Sequence, residues 1–296
     1  MPELPEVETI RRGLARRLIG KRIARVEVSG AKQLQGNRRL LIGAQIVGLQ
    51  RRAKILILEI KNSLVRNSQI IYLAIHLKMS GQLIYAPRNT IGKVLRQKGL
   101  IIGGHPENAY LEQLPNKYTR IIVTFGDGSH LYFNDLRRFG WFRVVDEDGL
   151  QQLIAQLGPE ALSITTKSLA AIIATGRGPR IKQFLLDQTN IAGLGNIYVD
   201  ESLFCAKINP LKLIKNLQAD EIRRLARCIP AVLRLSLKHG GTSIQHFRNS
   251  AGKVGTFGKV AKIYGRLGQP CVRCRTPVKK QRVAGRGTHY CPKCQA

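Results

Sequence analysis

The chain has 296 residues, 44% of them hydrophobic, which is enough for real cores and excludes wholesale disorder; the length allows two domains. Lys plus Arg number 49 against 18 acidic residues, a formal net charge of +31 spread along the chain. So large an excess is hard to keep compact without a polyanionic partner. Nucleic acid is the leading partner and a membrane the weaker one, because no lipidation signal, basic amphipathic anchor or membrane-length apolar run is present.

The chain opens MPELPEVETI, and residues 5–18 read as a helix. Pro5 suits a first turn, Glu6 and Glu8 complement the positive end of the helix dipole, and Val7, Ile10, Leu14 and Leu18 make one apolar stripe. Strand-like runs follow at 22–28, 44–50, 54–60, 69–77, 81–85, 120–126, 129–134 and 140–145. Gly126-Asp127-Gly128 is a hairpin signal. Eight short strands with turn punctuation predict a β-sandwich rather than a βαβ fold. Residues 86–118 carry Arg88, Lys93, Arg96, Lys98 and Lys117 with little apolar periodicity, and are expected to be disordered. Helical periods begin near residue 148, with candidates at 150–157, 168–175, 182–186, 198–206 and 219–239. The expected class is α+β and multi-domain: an N-terminal β-sandwich with a flanking helix over 1–147, a helical domain over 148–262 and a cysteine-pinned β-hairpin over 263–296.

That last segment carries the sharpest motif. Cys271 and Cys274, then sixteen residues, then Cys291 and Cys294 give C-x2-C-x16-C-x2-C, a zinc spacing. Four thiolates close a tetrahedral sphere and leave no open position, so one Zn2+ is expected, structural and not catalytic. Gly285-Arg286-Gly287 lies at or near the hairpin turn, a basic tip suited to a phosphate backbone. Cys205 and Cys228 sit in helical segments and read as small buried hydrophobes, since the absence of a signal peptide implies a reducing, intracellular setting.

The opening residues have a chemical reading as well. Removal of Met1 before a small residue would leave Pro2 with a secondary α-amine. An α-amine titrates near 7.7–8.0, so roughly 10% is free base at neutral pH, against well under 0.1% for lysine. Such an amine can attack a sugar C1′ or a carbonyl and form an iminium, with Glu3 beside it to move protons. The plainer reading is a rigid lead-in to the helix.

Taken together the motifs resemble those of formamidopyrimidine-DNA glycosylase, the bacterial base-excision repair enzyme. MPELPEVETIRRGL, Arg51-Arg-Ala-Lys54, His76-Leu-Lys-Met79-Ser-Gly, Asp135-Leu-Arg137-Arg-Phe139-Gly, Leu157-Gly-Pro-Glu160, Ile191-Ala-Gly-Leu-Gly-Asn196-Ile-Tyr, Gly240-Gly-Thr and Tyr264-Gly-Arg fall in that family's order, ahead of the zinc finger. The resemblance implies a helix–two-turn–helix domain spanning roughly 180–206. Its substrate would be double-stranded DNA containing oxidised bases, met by a monomer in the cytoplasm at the nucleoid. It implies Pro2 as nucleophile, Glu3 as acid, and Lys54 and Arg286 as aids to elimination. Met79, Arg137 and Phe139 would fill the void left by an extruded nucleotide; on physics alone Met79 and Phe139 read as core residues. Lys182, Asn196, Arg177 and His76 would contact phosphates. Two departures stand out. Tyr118 replaces a histidine usual in the family, which leaves its DNA contact open, and about 88–110 looks inserted. Thr242–Phe257 matches a lesion-capping loop by the same analogy. Two other readings remain: the sister endonuclease VIII family, which prefers oxidised pyrimidines, and a non-catalytic zinc-finger nucleic-acid-binding protein.

Overall fold

A computed structural model describes residues 2–62, 70–88, 101–104, 113–176, 180–242 and 255–296. Helix α1 (Leu4–Leu18) starts at the N-cap Glu3, with Pro5 in its first turn and a capping box between Glu3 and Glu6. Its stripe of Val7, Ile10, Leu14 and Leu18 is buried, each side chain at most 1% exposed. Truncating any of them, Leu14→Ala for example, would cost roughly 2–5 kcal/mol.

Ten strands follow: β1 (Ile23–Val28), β2 (Leu34–Gln35), β3 (Gln45–Arg52), β4 (Ile55–Lys61), β5 (Ile70–His76), β6 (Gly81–Ala86), β7 (Ile101–Gly104), β8 (Thr119–Phe125), β9 (His130–Asp135) and β10 (Trp141–Val145). They form two five-stranded sheets, in the orders β1-β8-β9-β6-β7 and β2-β10-β5-β4-β3. All neighbours are antiparallel except β2 and β10. Inward-facing Val26, Leu83, Ile121 and Phe133 of the first sheet share a core with Leu56, Leu73, Ile75 and Phe142 of the second and with the α1 stripe. The Phe133 and Phe142 rings meet 5.0 Å apart. This is the expected sandwich, with two strands added. One of them, Ile101–Gly104, falls within the stretch read as disordered and pairs with β6, so that reading is corrected there. All four residues, Ile101, Ile102, Gly103 and Gly104, pair with β6, and the run is too short to show a period. Residues 89–100 and 105–112 lie outside the described residues.

Helices α2 (Glu147–Ala155), α3 (Thr166–Thr175), α4 (Ile181–Leu186), α5 (Asn196–Ala206), α6 (Ala219–Lys238) and α7 (Phe257–Val260) precede the hairpin β11 (Lys279–Val283) and β12 (Arg286–Tyr290). The chain divides into two compact units. One holds Met1–Ala155 with Gly240–Thr256, the other Gln156–His239 with Phe257–Ala296. The zinc hairpin lies in the second unit, with helices α3–α7.

The free-thiol reading of Cys205 and Cys228 is corrected. The two are disulfide-bonded between α5 and α6, with Cα atoms 5.8 Å apart, inside the range a disulfide spans. Compartment reasoning weighs redox poise but not the side-by-side helices that bring these positions together. The bridge closes a loop with a sequence separation of 23. Cys228→Ser should therefore destabilise the oxidised protein by about 3 kcal/mol. Thermal melts of both proteins with and without dithiothreitol check this: the gap in Tm should be present without reductant and vanish with it.

Candidate active site and nucleic-acid interface

The sandwich unit carries the N-terminus. Pro2 and Glu3 are buried. Glu6, read from sequence as a dipole complement, is 2% exposed and does more. Its Oε2 accepts the Glu3 N–H at 2.9 Å and its Oε1 accepts the Thr242 N–H at 2.8 Å. Gly241 beside it is left-handed (φ +87°), and a Cβ there would stand 3.0 Å from Glu6 Oε1. One carboxylate thus ties the chain start to the segment leading into the expected capping loop, whose residues 243–254 lie outside the described set.

Lys54 is buried and follows Ala53, whose φ is +53°. Arg51 holds that turn through Nη1 to the Ala53 carbonyl at 2.8 Å, and its Nε lies 3.2 Å from Glu8. Burial raises the Glu8 pKa. Hydrogen bonds from Arg11 and Arg12 and the charge of Arg51 outweigh it and bring the value down to about 2. On the neighbouring strand Ile55 pairs with His76. His76 is half-buried, and its Nδ1 accepts the Lys78 N–H at 2.9 Å, which puts the ring proton on Nε2. Desolvation first, then the charges of Lys78, Lys54 and Arg143, push its pKa down to about 3. In the free protein His76 is therefore neutral, with Nε2–H as its donor.

Met79, Arg137 and Phe139 come together on two loops. Arg137 Nη1 lies 3.3 Å from Met79 Sδ, and its guanidinium sits 5.1 Å from the Phe139 ring centroid. Phe139 is 55% exposed, so the core reading of that ring is corrected. Tyr118 is half-buried, with the Lys117 ammonium 5.2 Å from its ring centroid.

The helical unit holds the remaining candidates. Asn196 opens α5, and its Nδ2 donates to the Gly287 carbonyl at 3.0 Å, next to the exposed Arg286 at the start of β12. Lys182 also reaches Gly287 O, at 3.2 Å, but its ammonium is fully buried against Asp200 Oδ1 at 2.6 Å. The expectation that Lys182 contacts phosphate is corrected: its charge is already neutralised and closed off from solvent. Asp200 Oδ2 in turn accepts the His289 N–H at 2.9 Å, so the pair docks β12. Arg177 lies outside the described residues.

The four cysteine sulfurs lie within 4.8 Å of one another. The Cys271–Cys294 and Cys274–Cys291 separations are 3.9 and 3.4 Å, near the edge of about 3.8 Å for four sulfurs each 2.3 Å from one zinc. Backbone N–H groups of Arg273 and Cys294 point at the Cys271 and Cys291 sulfurs, each at 3.4 Å, as thiolate knuckles require. The donor set fits a closed structural zinc. Arg273 fastens the first knuckle to the end of α5 through the Phe204 and Cys205 carbonyls, at 2.6 and 3.1 Å.

Residues 1–142 match the N-terminal domain of formamidopyrimidine-DNA glycosylase, residues 157–248 its helix–two-turn–helix domain, and residues 268–296 the zinc finger found in that enzyme and in IleRS. The chain belongs to the formamidopyrimidine-DNA glycosylase family. It is 38% identical to the formamidopyrimidine-DNA glycosylases of Roseiflexus sp. and Geobacillus kaustophilus, in each case over 100% of both chains. A solved complex between Lactococcus lactis Fpg and an abasic site containing DNA matches with a TM-score of 0.81 at 32% identity, covering 99% of each chain. The wild-type Lactococcus lactis Fpg bound to N7-benzyl-Fapy-dG containing DNA gives 0.80 at 33%, again over 99% of each chain. Among the described residues no helix is long and apolar enough to cross a membrane.

Asp135 and Asp200 carry no local signal in the sequence, because their partners Ser80 and His289 lie far off along the chain, and Glu6 shows there as a dipole complement but not as the tie to Thr242.

Two outcomes follow from this geometry. The folded His76 pKa lies below its ordinary 6.5, so the unfolded chain takes up a proton there that the folded chain refuses. This group's contribution to stability is complete above pH 6.5 and is lost as pH falls towards 3. Urea melts of His76→Asn should lose less stability than wild type between pH 6.5 and 4. For the zinc site, Cys291→Ser should abolish duplex DNA binding in a mobility-shift assay while the sandwich unit stays folded by circular dichroism.

Proposed function

We propose that this chain is a bifunctional DNA glycosylase and abasic-site lyase that removes oxidised purines, 8-oxoguanine and formamidopyrimidines, from duplex DNA. The observation that carries the reading is the assembly of Met79, Arg137 and Phe139 into one cluster on two loops of the unit that begins with the buried Pro2-Glu3. An enzyme acting at C1′ must extrude the nucleotide and fill the hole. A flexible thioether, an arginine to pair with the orphaned base and an exposed ring to wedge the stack are side chains suited to that task. The arginine–phenylalanine pair also favours the purine enzyme over the endonuclease VIII class.

After loss of Met1, the Pro2 nitrogen attacks C1′ and the C1′–N bond to the base breaks. The base leaves with the bonding pair and takes a proton from the Glu3 carboxyl. The Glu3 carboxylate then takes the proton from the Pro2 nitrogen and passes it to O4′ as the C1′–O4′ bond breaks, and the ring-opened sugar is left as an iminium, an electron sink that acidifies the C2′ protons. Removal of one expels the 3′ phosphate, and a second elimination expels the 5′ phosphate. Lys54 and Arg286 assist these eliminations. Asn196, and His76 as a neutral donor, contact flanking phosphates, and Tyr118 makes an uncharged contact where a histidine is usual. A zinc bound by Cys271, Cys274, Cys291 and Cys294 holds the hairpin that presents Arg286. The enzyme works as a monomer at the nucleoid.

Borohydride trapping tests this directly. Duplexes carrying 8-oxoguanine opposite cytosine should become covalently attached to the wild-type protein and be cut, while Pro2→Gly should lose trapping. Faster cutting of thymine glycol opposite adenine would move the chain to the pyrimidine class. Trapping by the glycine variant at the wild-type level would remove Pro2 from its role. Binding should also weaken with salt, with a log–log slope of roughly −0.9 per phosphate neutralised.

A further inference from the structure

The void-filling side chains sit on backbone that does not hold its shape unaided. Lys78, just before Met79, has φ +50°, and Arg138, between Arg137 and Phe139, has φ +57°. Left-handed backbone at non-glycine residues is strained, and it persists only where the surroundings over-determine it. Both loops are fastened to one side chain. Asp135 is fully buried at the end of β9. Its Oδ1 accepts the Ser80 hydroxyl, and its Oδ2 accepts the Gly140 N–H at 2.7 Å. Ser80 Oγ accepts the Arg137 N–H at 3.0 Å, which closes a chain from Asp135 through the Met79 loop back to the Arg137 loop. Gly140 has no room for a side chain: a Cβ would stand 2.6 Å from the Phe133 ring and 3.1 Å from Asp135 Oδ2. The Asp135 backbone extends the hub, with its N–H on the Tyr118 carbonyl at 2.9 Å and its carbonyl accepting Arg120 Nε at 3.0 Å.

We propose that Asp135 is the positioning residue of the void-filling loops, holding Met79, Arg137 and Phe139 in their inserting arrangement before DNA arrives. The proposal rests on the glycosylase reading and deepens it. Asp135 touches neither the sugar nor the base. It supplies two acceptor oxygens that face the two loops at once, so that insertion needs no reordering of strained backbone. Both oxygens are needed because both partners donate. An alanine leaves the Ser80 hydroxyl and the Gly140 N–H without acceptors. An asparagine keeps its carbonyl oxygen for Gly140 and turns its amide towards Ser80, whose oxygen can accept. Ser80→Ala leaves Asp135 on Gly140 and cuts only the link to Arg137.

The test compares two activities of the full-length protein. One is single-turnover excision of 8-oxoguanine from a duplex, which requires the void to be filled. The other is borohydride trapping on a single-stranded oligonucleotide with an abasic site, which does not. Duplex excision should fall on the order of 100-fold in Asp135→Ala and roughly tenfold in Ser80→Ala, with Asp135→Asn closer to wild type. Single-strand trapping should stay within about threefold throughout, a spread a single neutral hydrogen bond could cause. Equal loss of both activities would mean that Asp135 serves only the fold and would overturn the proposal, as would duplex excision at the wild-type rate in Asp135→Ala. If Asp135→Ala does not fold, Ser80→Ala decides on the same two readouts. Wild-type protein inactive on both substrates would sink the glycosylase reading and this role together.

Discussion

A reactive chain terminus has to be held still, and termini fray unless something ties them down. Here the tie is Glu6. Its carboxylate is buried and spends one oxygen on the Glu3 N–H and the other on the Thr242 N–H. A buried carboxylate without partners would be expelled or protonated, and one that accepts backbone N–H bonds is kept where those donors are. The same residue therefore caps α1 and fixes the first residues of the chain against a segment more than 230 positions away. The apolar stripe of α1 completes the arrangement, because a capped but unpacked helix would carry the terminus with it as it moved.

The charge balance has a structural logic. Only 18 residues are acidic, and Glu3, Glu6, Glu8, Asp135, Asp200 and Glu201 are all buried. They organise backbone or cations internally rather than neutralising the surface. Glu8 gathers Arg11, Arg12 and Arg51, Asp135 gathers Ser80 and Gly140, and Asp200 gathers Lys182 and the His289 N–H. A third of the negative charge is thus withdrawn from solvent, while most of the positive charge stays outside for a phosphate backbone. The arrangement costs self-repulsion in the free protein, which binding of a polyanion relieves.

Much of this was legible from residue order alone, and the reasons are local. Period-two alternation in runs such as Ile23–Val28 and the heptad-like stripe of α1 announce themselves within a few residues. The zinc knuckles do so by spacing. What escaped notice depends on partners far apart in sequence. Lys182 looks like a surface cation until Asp200, 18 residues on, and Gly287, 105 residues on, close over it. Cys205 and Cys228 look like isolated thiols until two helices align them. The two-residue strand Leu34–Gln35 and the four-residue Ile101–Gly104 are too short for any period to emerge, and they exist because neighbouring strands offer an edge. Met79 and Phe139 are a different case. Both look like core by composition, and only their place beside the left-handed residues Lys78 and Arg138, with Met79 half-buried and Phe139 exposed, separates the two readings.

The zinc finger shows how a metal and a helix divide the labour of placing one arginine. Four thiolates can fold the hairpin upon itself, but they say nothing about where it sits. That is decided by two adjacent carboxylates of α5. Asp200 takes the His289 N–H and, through Lys182, the Gly287 carbonyl. Glu201 takes the N–H groups of Lys262, Ile263 and Tyr264 at 2.8–3.0 Å, just where the chain enters the finger. Burial pushes the Glu201 pKa up against the pull of those three donors, so the carboxylate gains its place from the backbone it holds. Because Asn196 begins the same helix and also reaches Gly287, helix and hairpin share a single frame. Arg286, one residue before Gly287, is exposed at its tip without a long loop behind it. The backbone next to Arg286 is therefore fixed with respect to Asn196, and the guanidinium starts from a held position even though its own side chain is exposed.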